Sequence, residues 1–220
     1  MKSVSKALIV TPIVLALSGC VIHVGGGHSS DSGGGVSSLF GDVSVSAGKS
    51  VNDVSSVNGD VELEDNVIAR TVDTVNGDVE IGDHVVVRSI SVVNGEIEIG
   101  QHFESESGIS SVNGDIEVDE HGRINGDVSN VNGDISLVAT HVTLDVVTNN
   151  GDISLTRSSH IAGDLVYRDG NGSKRNWGTP PTLTIDADST VDGQIILERP
   201  VNLNIENPAL LEKVRHRFGE

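Results

Sequence analysis

Short runs of alternating apolar and polar residues recur along most of the chain. Val43/Val45, Val61/Leu63, Val79/Ile81, Ile97/Ile99, Ile116/Val118, Ile135/Leu137 and Ile153/Leu155 are apolar residues two apart. Between them stand Ser44, Glu62, Glu80, Glu98, Glu117, Ser136 and Ser154. A period of two predicts short strands, each with one buried face. Asn-Gly-Asp or a close variant precedes each run. Its glycines, Gly41, Gly59, Gly77, Gly95, Gly114, Gly133 and Gly151, are spaced 18, 18, 18, 19, 19 and 18. Turn signals at such a steady period mark an internal repeat.

Two further corners fall within each repeat. A polar or glycine break stands at Asp65-Asn66, Gly82-Asp83-His84, Gly100-Gln101-His102 and Glu120-His121. Apolar residues resume at Val67, Val85, Phe103, Val142 and Ile161. The other break is clearest at Asn125-Gly126-Asp127 and Gly163-Asp164. A third apolar pair accompanies it: Val54/Val57, Val72/Val75, Ile90/Val93, Ile109/Val112 and Val128/Val131. Three corners in about 18 residues predict three short faces per turn.

A face of six residues cannot bury itself alone. Stacked turns pair each strand with those above and below and merge the inward Val, Ile and Leu into one column. The expected fold is all-β: a three-faced, single-stranded parallel β-helix, with a short C-terminal capping helix. Roughly eight to ten turns at ~4.8 Å make a rod of about 40–50 Å. Glycine takes positive φ at the corners without steric cost, and asparagine tolerates it. Asn58, Asn76, Asn94, Asn113, Asn132 and Asn150 are expected to stack as an amide ladder beside these glycines.

The ends depart from the repeat. Met1–Lys6 is basic, Ala7–Leu17 is a short apolar run, and Leu17-Ser18-Gly19-Cys20 follows. This reads as a secretory signal over residues 1–19, too short for a membrane span. Its last residues resemble the bacterial lipobox, which implies acylation of Cys20 and cleavage before it. Two or more acyl chains make a stable anchor. Val21 follows the cysteine, where an Asp would resemble an inner-membrane retention signal, so the expected site is the outer membrane. Residues 20–38 read as a Gly/Ser tether and 39–206 as solenoid, with an irregular loop at 168–181. Asn207-Pro208 reads as the N-cap and first residue of a final helix reaching about Phe218, within a cap of 207–220.

Composition narrows the function. The net charge is −18, with 32 acidic residues against 14 Lys plus Arg. Losing residues 1–19 removes Lys2 and Lys6 and no acid, which takes it to −20. So acidic a chain argues against nucleic acid as a partner. Aromatics at 2% are too few for a stacking surface, and a narrow bore explains their scarcity. The lone cysteine excludes an internal disulfide framework.

Four sets of residues carry candidate chemistry. His84, His102, His121, His141 and His160 recur at one corner, one strand spacing apart, and could share a soft metal. The same corner also suits polar residues with positive φ, as Asn66 shows. Asp60, Asp78, Glu96, Asp115, Asp134 and Asp152 form one acidic column and Glu62, Glu80, Glu98 and Glu117 another. Divalent cations would relieve their repulsion; a solvated acidic face is the plainer reading. Trp177 with Lys174 and Arg175 could dock a protein or an anionic glycan, or plug the last turns. Enzyme motifs such as G-x-S-x-G and H-E-x-x-H are absent, so no catalytic residue and no cofactor beyond the Cys20 lipid are assigned.

SSVNGDVEL, DTVNGDVEI, SVVNGEIEI, SSVNGDIEV, SNVNGDISL and TNNGDISL resemble the repeats of the DUF4097-type bacterial β-strand-repeat, adhesin-like proteins, over Phe40–Leu155. VDGQIILE around Gly193 resembles the polymer-forming bactofilin-like solenoids. These resemblances imply a non-enzymatic lipoprotein of the bacterial cell envelope, acting as a scaffold or adhesin-like module. Its expected contacts are the membrane, an envelope protein or glycan, and other copies of itself. The alternatives are a cation-binding envelope protein and a carbohydrate-active β-helix.

Overall fold

A computed structural model describes residues 22–24, 34–169 and 178–218. The chain winds as an all-β parallel solenoid. Each short strand Val43–Val45, Val61–Leu63, Val79–Ile81, Ile97–Ile99 and Ile116–Val118 pairs in parallel with its successor. With five later or flanking strands they make a ten-stranded sheet, closed by Ile22–Val24 at one end and Asn202–Ile205 at the other. Nine spacings of ~4.8 Å give a rod of about 43 Å.

A second sheet of 14 strands forms the rest of each turn. Where three faces are expected, the early turns run two of them as one strand: Ile68–Asn76, Val86–Asn94 and Glu104–Asn113. From Asn125-Gly126-Asp127 onward the strand is broken, as in Arg123–Ile124 followed by Asp127–Asn132. The change comes at Ser105–Gly108, where the register shifts. One extra residue enters there, which makes the Gly95–Gly114 spacing 19.

The inward residues are those of the alternation, with one phase correction. Val54, Val72, Ile90, Ile109 and Val128 are buried, but their expected partners Val57, Val75, Val93, Val112 and Val131 are 37–40% exposed. Residues three apart on a strand point to opposite faces. The true inward neighbours are Ser56, Thr74, Val92, Ser111 and Asn130, all buried. Ser56 and Thr74 donate to the carbonyls of Gly41 and Gly59 at 3.3 and 3.4 Å, and Asn130 Nδ2 to that of Gly114 at 2.9 Å. These hydroxyls and amides brace the corner from within.

The bore also holds aromatics, contrary to the reading of their scarcity. Phe103 and Tyr167 are fully buried. Each shares its level with small side chains, Ser105 and Ser111 for Phe103 and Ser159 for Tyr167, so the volume balances. The Tyr167 hydroxyl donates to the Thr182 carbonyl at 3.2 Å.

Both termini pair more than the sequence suggests. Ile22–Val24 and Val36–Ser38, read as tether, pair with Val43–Val45 and Val54–Ser56. An exposed strand edge on the first turn is satisfied by them. Asn207 caps the final helix by accepting from the Ala209 N–H at 3.2 Å, with Pro208 at its start. The helix ends at Leu211 rather than near Phe218, and Val214–His216 returns to pair with Ile195–Leu197. The return strand pairs a sheet edge that would otherwise stand open. Leu210 is buried over the last level of the core.

The corner glycines fix the geometry. Gly95 has φ +153, and a Cβ there would lie 2.0 Å from the Gly77 carbonyl oxygen. The same approach recurs at Gly77, Gly114 and Gly151. Gly95→Ala is expected to destabilise by about 3 kcal/mol or more, since both the dihedral and the backbone contact must yield. Gly34→Ala, with open space around its Cβ, should change nothing. Denaturant unfolding checks both.

Candidate functional site

The outside of the solenoid is a set of columns, one residue per level. The Asn-Gly-Asp corner builds two. Asn76 Nδ2 donates to Asn58 Oδ1 at 3.0 Å, and Asn94, Asn113, Asn132 and Asn150 repeat the bond at 2.9 Å. The expected amide ladder is therefore continuous. Its last carbonyl, Asn150 Oδ1, accepts from Arg199 Nη1, which also donates to the Asn149 carbonyl at 2.6 Å. Arg199 lies 49 residues further along the chain and carries no repeat signature, so no pattern announces this role.

The acidic column at the same corner is a ladder too. Asp42 Oδ1 accepts from the Asp60 N–H at 3.0 Å, Asp60 from Asp78 at 2.9 Å, and Asp78 from Glu96 at 2.8 Å. It resumes with Asp115 to Asp134 and Asp134 to Asp152 at 2.7 Å, and Asp152 to Thr182 at 2.8 Å. The last step spans 30 residues, so the insertion leaves the stacking intact. The other two corners copy the device. Asp65 and Asp83 serve one, and Asp127, Asp145 and Asp164 the other. Charge-assisted bonds of this kind offset part of the repulsion between stacked carboxylates.

The second acidic column is different. Glu62, Glu80, Glu98 and Glu117 are register partners on the ten-stranded sheet and point outward. Glu62, Glu80 and Glu98 line an open surface groove with Asp42, Asp60, Asp78 and Glu96, and Glu80, Glu98 and Glu117 line a second one beside it. Burial, and then Glu98, Glu117, Asp115 and Asp78, push the Glu96 carboxyl above the usual range.

The five histidines occupy two columns rather than one. His84, His102 and His121 have φ of 57, 56 and 67°, and Asn66, at 60°, precedes them. Their ring centroids are 4.7 and 5.0 Å apart. The residue one level above His121 is Ala139, so His141 falls two residues past that corner. His141 instead pairs with Arg123 and His160, and His160 with Thr190. The His141 and His160 rings stack at 4.9 Å. Burial, and then His160 and Arg123, hold the His141 imidazole below its usual pKa. His160 Nδ1 bonds Thr190 Oγ1 at 2.8 Å, and its Nε2 lies 3.4 Å from Asp192 Oδ2. Among the described residues no three His, Cys, Asp or Glu side chains converge on a point that could hold an ion. The corner φ accounts for the first histidine column.

Residues 36–187 match the model of the Toastrack DUF4097 family. The chain belongs to that family. The match begins at the strand Val36–Ser38 and takes in all seven corner glycines, which are the Toastrack repeat of this chain. The Toastrack solenoid here runs past the matched region, through Asn202–Ile205 and Val214–His216. No curated protein and no solved structure matches the chain. Cys20, Lys174, Arg175 and Trp177 lie outside the described residues.

Glu96 is the one break in the Asp42–Thr182 ladder. Its carboxylate is a methylene longer, and it makes no bond to the Asp115 N–H. Glu96→Asp is expected to join the two runs and add about 1 kcal/mol of stability. The raised pKa of Glu96 has its own sign. Folding favours the protonated form, so the associated stability is present at low pH and lost as pH rises through the folded pKa. Glu96→Gln should therefore raise the denaturation midpoint at pH 7, with the gain shrinking toward about pH 4. Urea unfolding across that range measures both.

Proposed function

We propose that this Toastrack chain is a non-enzymatic, lipid-anchored interaction module of the bacterial cell envelope, held at the outer membrane through Cys20. The observation that carries this reading is the repetition of outward columns at every level. Each level presents the same few groups, so the rod offers one contact many times over. That arrangement suits multivalent binding, in which weak contacts sum once the partners are aligned. The grooves on its surface are open strips along the sheets. A scaffold or adhesin-like role uses such a surface directly.

Anchoring rests on the sequence around Cys20. Among the described residues no helix is long and apolar enough to cross a membrane. In this reading the lipid supplies the attachment and the solenoid supplies the contacts. Envelope proteins and glycans are the partners it fits.

Two measurements test the proposal. Cys20→Ala should move the protein from the membrane pellet to the soluble fraction, and metabolic labelling with a fatty acid should fail on the variant. Retention of the variant in the pellet would remove the anchor from the reading. Crosslinking in intact cells should capture envelope components along the solenoid. Turnover of an envelope polysaccharide by the purified protein would overturn the non-enzymatic assignment.

A further inference from the structure

One strip of the surface has a different character from the rest. Val57, Val75, Val93, Val112 and Val131 are exposed by 37–40% and lie one above another beside the amide ladder. Leu39, 69% exposed, and Phe40, 64% exposed, extend the strip at its lower end. It is bordered on one side by Asn58, Asn76, Asn94, Asn113 and Asn132. On the other side stand the outward residues Ser55, Asp73, Ser91, Ser110 and Ser129. Asp73 is the single charge among these positions, on a chain of net charge −18. At its upper end the valine position becomes Asn149, whose carbonyl is taken by Arg199.

We propose that this valine strip is a self-association surface, on which a second copy of the chain lies side by side with the first. Three features select that occupant. First, the valines form a comb with a period of one strand spacing, ~4.8 Å, and leave a gap between each pair. A second copy carries the same comb, so its valines fit those gaps over six levels, as interdigitated side chains do between stacked sheets. A two-fold pairing uses the same strip on both partners. Second, charge favours this approach over others. Two copies that meet through the Glu62–Glu117 sheet would bring like columns together, whereas the valine strip is close to neutral. Third, the uncharged borders satisfy themselves, because the asparagines bond along their own ladder and need nothing from a partner.

The strip is about 24 Å long and about 10 Å wide from one border to the other, or roughly 250 Å² per copy, well below the ~800 Å² of a standard stable interface. The pairing is therefore weak in dilute solution. Anchoring on a common surface raises the local concentration and favours it. This use of the strip deepens the interaction-module reading and rests on it only for that enrichment, since the comb is present with or without the anchor.

Cysteine crosslinking in the full chain tests the pairing. Val93→Cys and Val112→Cys, near the middle of the strip, are compared with Glu98→Cys and Ser136→Cys on the opposite sheet. All four replace outward side chains, and thermal melts check that each variant keeps the fold. After mild oxidation of intact cells, the strip variants should give a reducible band at twice the chain mass, several-fold stronger than that of the other two. Adding Val75→Ser and Val131→Ser to Val93→Cys should lose that band. Equal dimer yields from all four positions, or none from the strip, would overturn the proposal. So would strip variants that crosslink only to a different protein. Loss of dimers with membrane attachment intact would count against this pairing and leave the anchored reading standing. Strip dimers from a chain that is found in the soluble fraction with Cys20 intact would do the reverse.

Discussion

The solenoid depends on how closely one corner can approach the corner below it. At Gly95 a single added carbon would meet the Gly77 carbonyl oxygen at 2.0 Å, and at Gly114 the Gly95 oxygen at 1.9 Å. Backbones that close leave no room for a side chain and no room for water. Every polar group at the corner must then be satisfied by the level above or below. The remaining features of the corner follow from this. Asparagine before the glycine passes an amide bond from level to level, and aspartate after it accepts the next N–H. A hydroxyl or amide one strand residue inward takes the glycine carbonyl at several levels. The Asn-Gly-Asp triplet is thus a single device for closing one corner, repeated because the corner is repeated.

A ladder of this type needs a terminator, since its last group has no successor. Arg199 supplies one for the asparagines, with a planar donor placed on Asn150 and on the preceding carbonyl. The aspartates end differently, on the Thr182 N–H, after a 30-residue step across the insertion. Leu210 closes the apolar bore in the same way, covering the last level from a one-turn helix. The two ladders and the apolar bore are therefore closed by three separate local solutions.

These two classes of residue were unequally legible in the sequence. Corners and alternating strands announce themselves, because glycine, asparagine and aspartate are restricted by backbone geometry and recur at a fixed period. The amide ladder follows directly from that period. The phase of the third run was lost because Val57 and its successors look like core and Ser56 and Thr74 do not. Apolarity there outweighed strict alternation, although alternation was the better guide. The histidines looked like one column because spacings of 18 to 20 resemble the repeat, yet the two surplus residues before His141 shift it to the adjacent column. Arg199 and the return strand Val214–His216 act once only, so no periodicity could reveal them. Of the proposed functional residues, Cys20 and Trp177 stand outside the repeat and are read from local motif and composition alone.

The charge distribution carries a further argument about use. Neighbouring carboxylates ~4.8 Å apart repel by about 0.9 kcal/mol even in water. The corner aspartates have a structural return for this, since each accepts a backbone N–H. Glu62, Glu80, Glu98 and Glu117 do not: no bond of that kind involves them, and Ser136 and Ser154 occupy the same column at higher levels without disturbing the sheet. Stacking therefore does not demand glutamate there. What the glutamates do is deny that sheet to any acidic neighbour, above all to another copy of the chain. In the pairing proposed above, contact with such a neighbour falls across the corner on the adjacent sheet, where valine and serine replace charge. In this fold the repeat that builds the core also divides the outside into a face that repels and a face that can be approached.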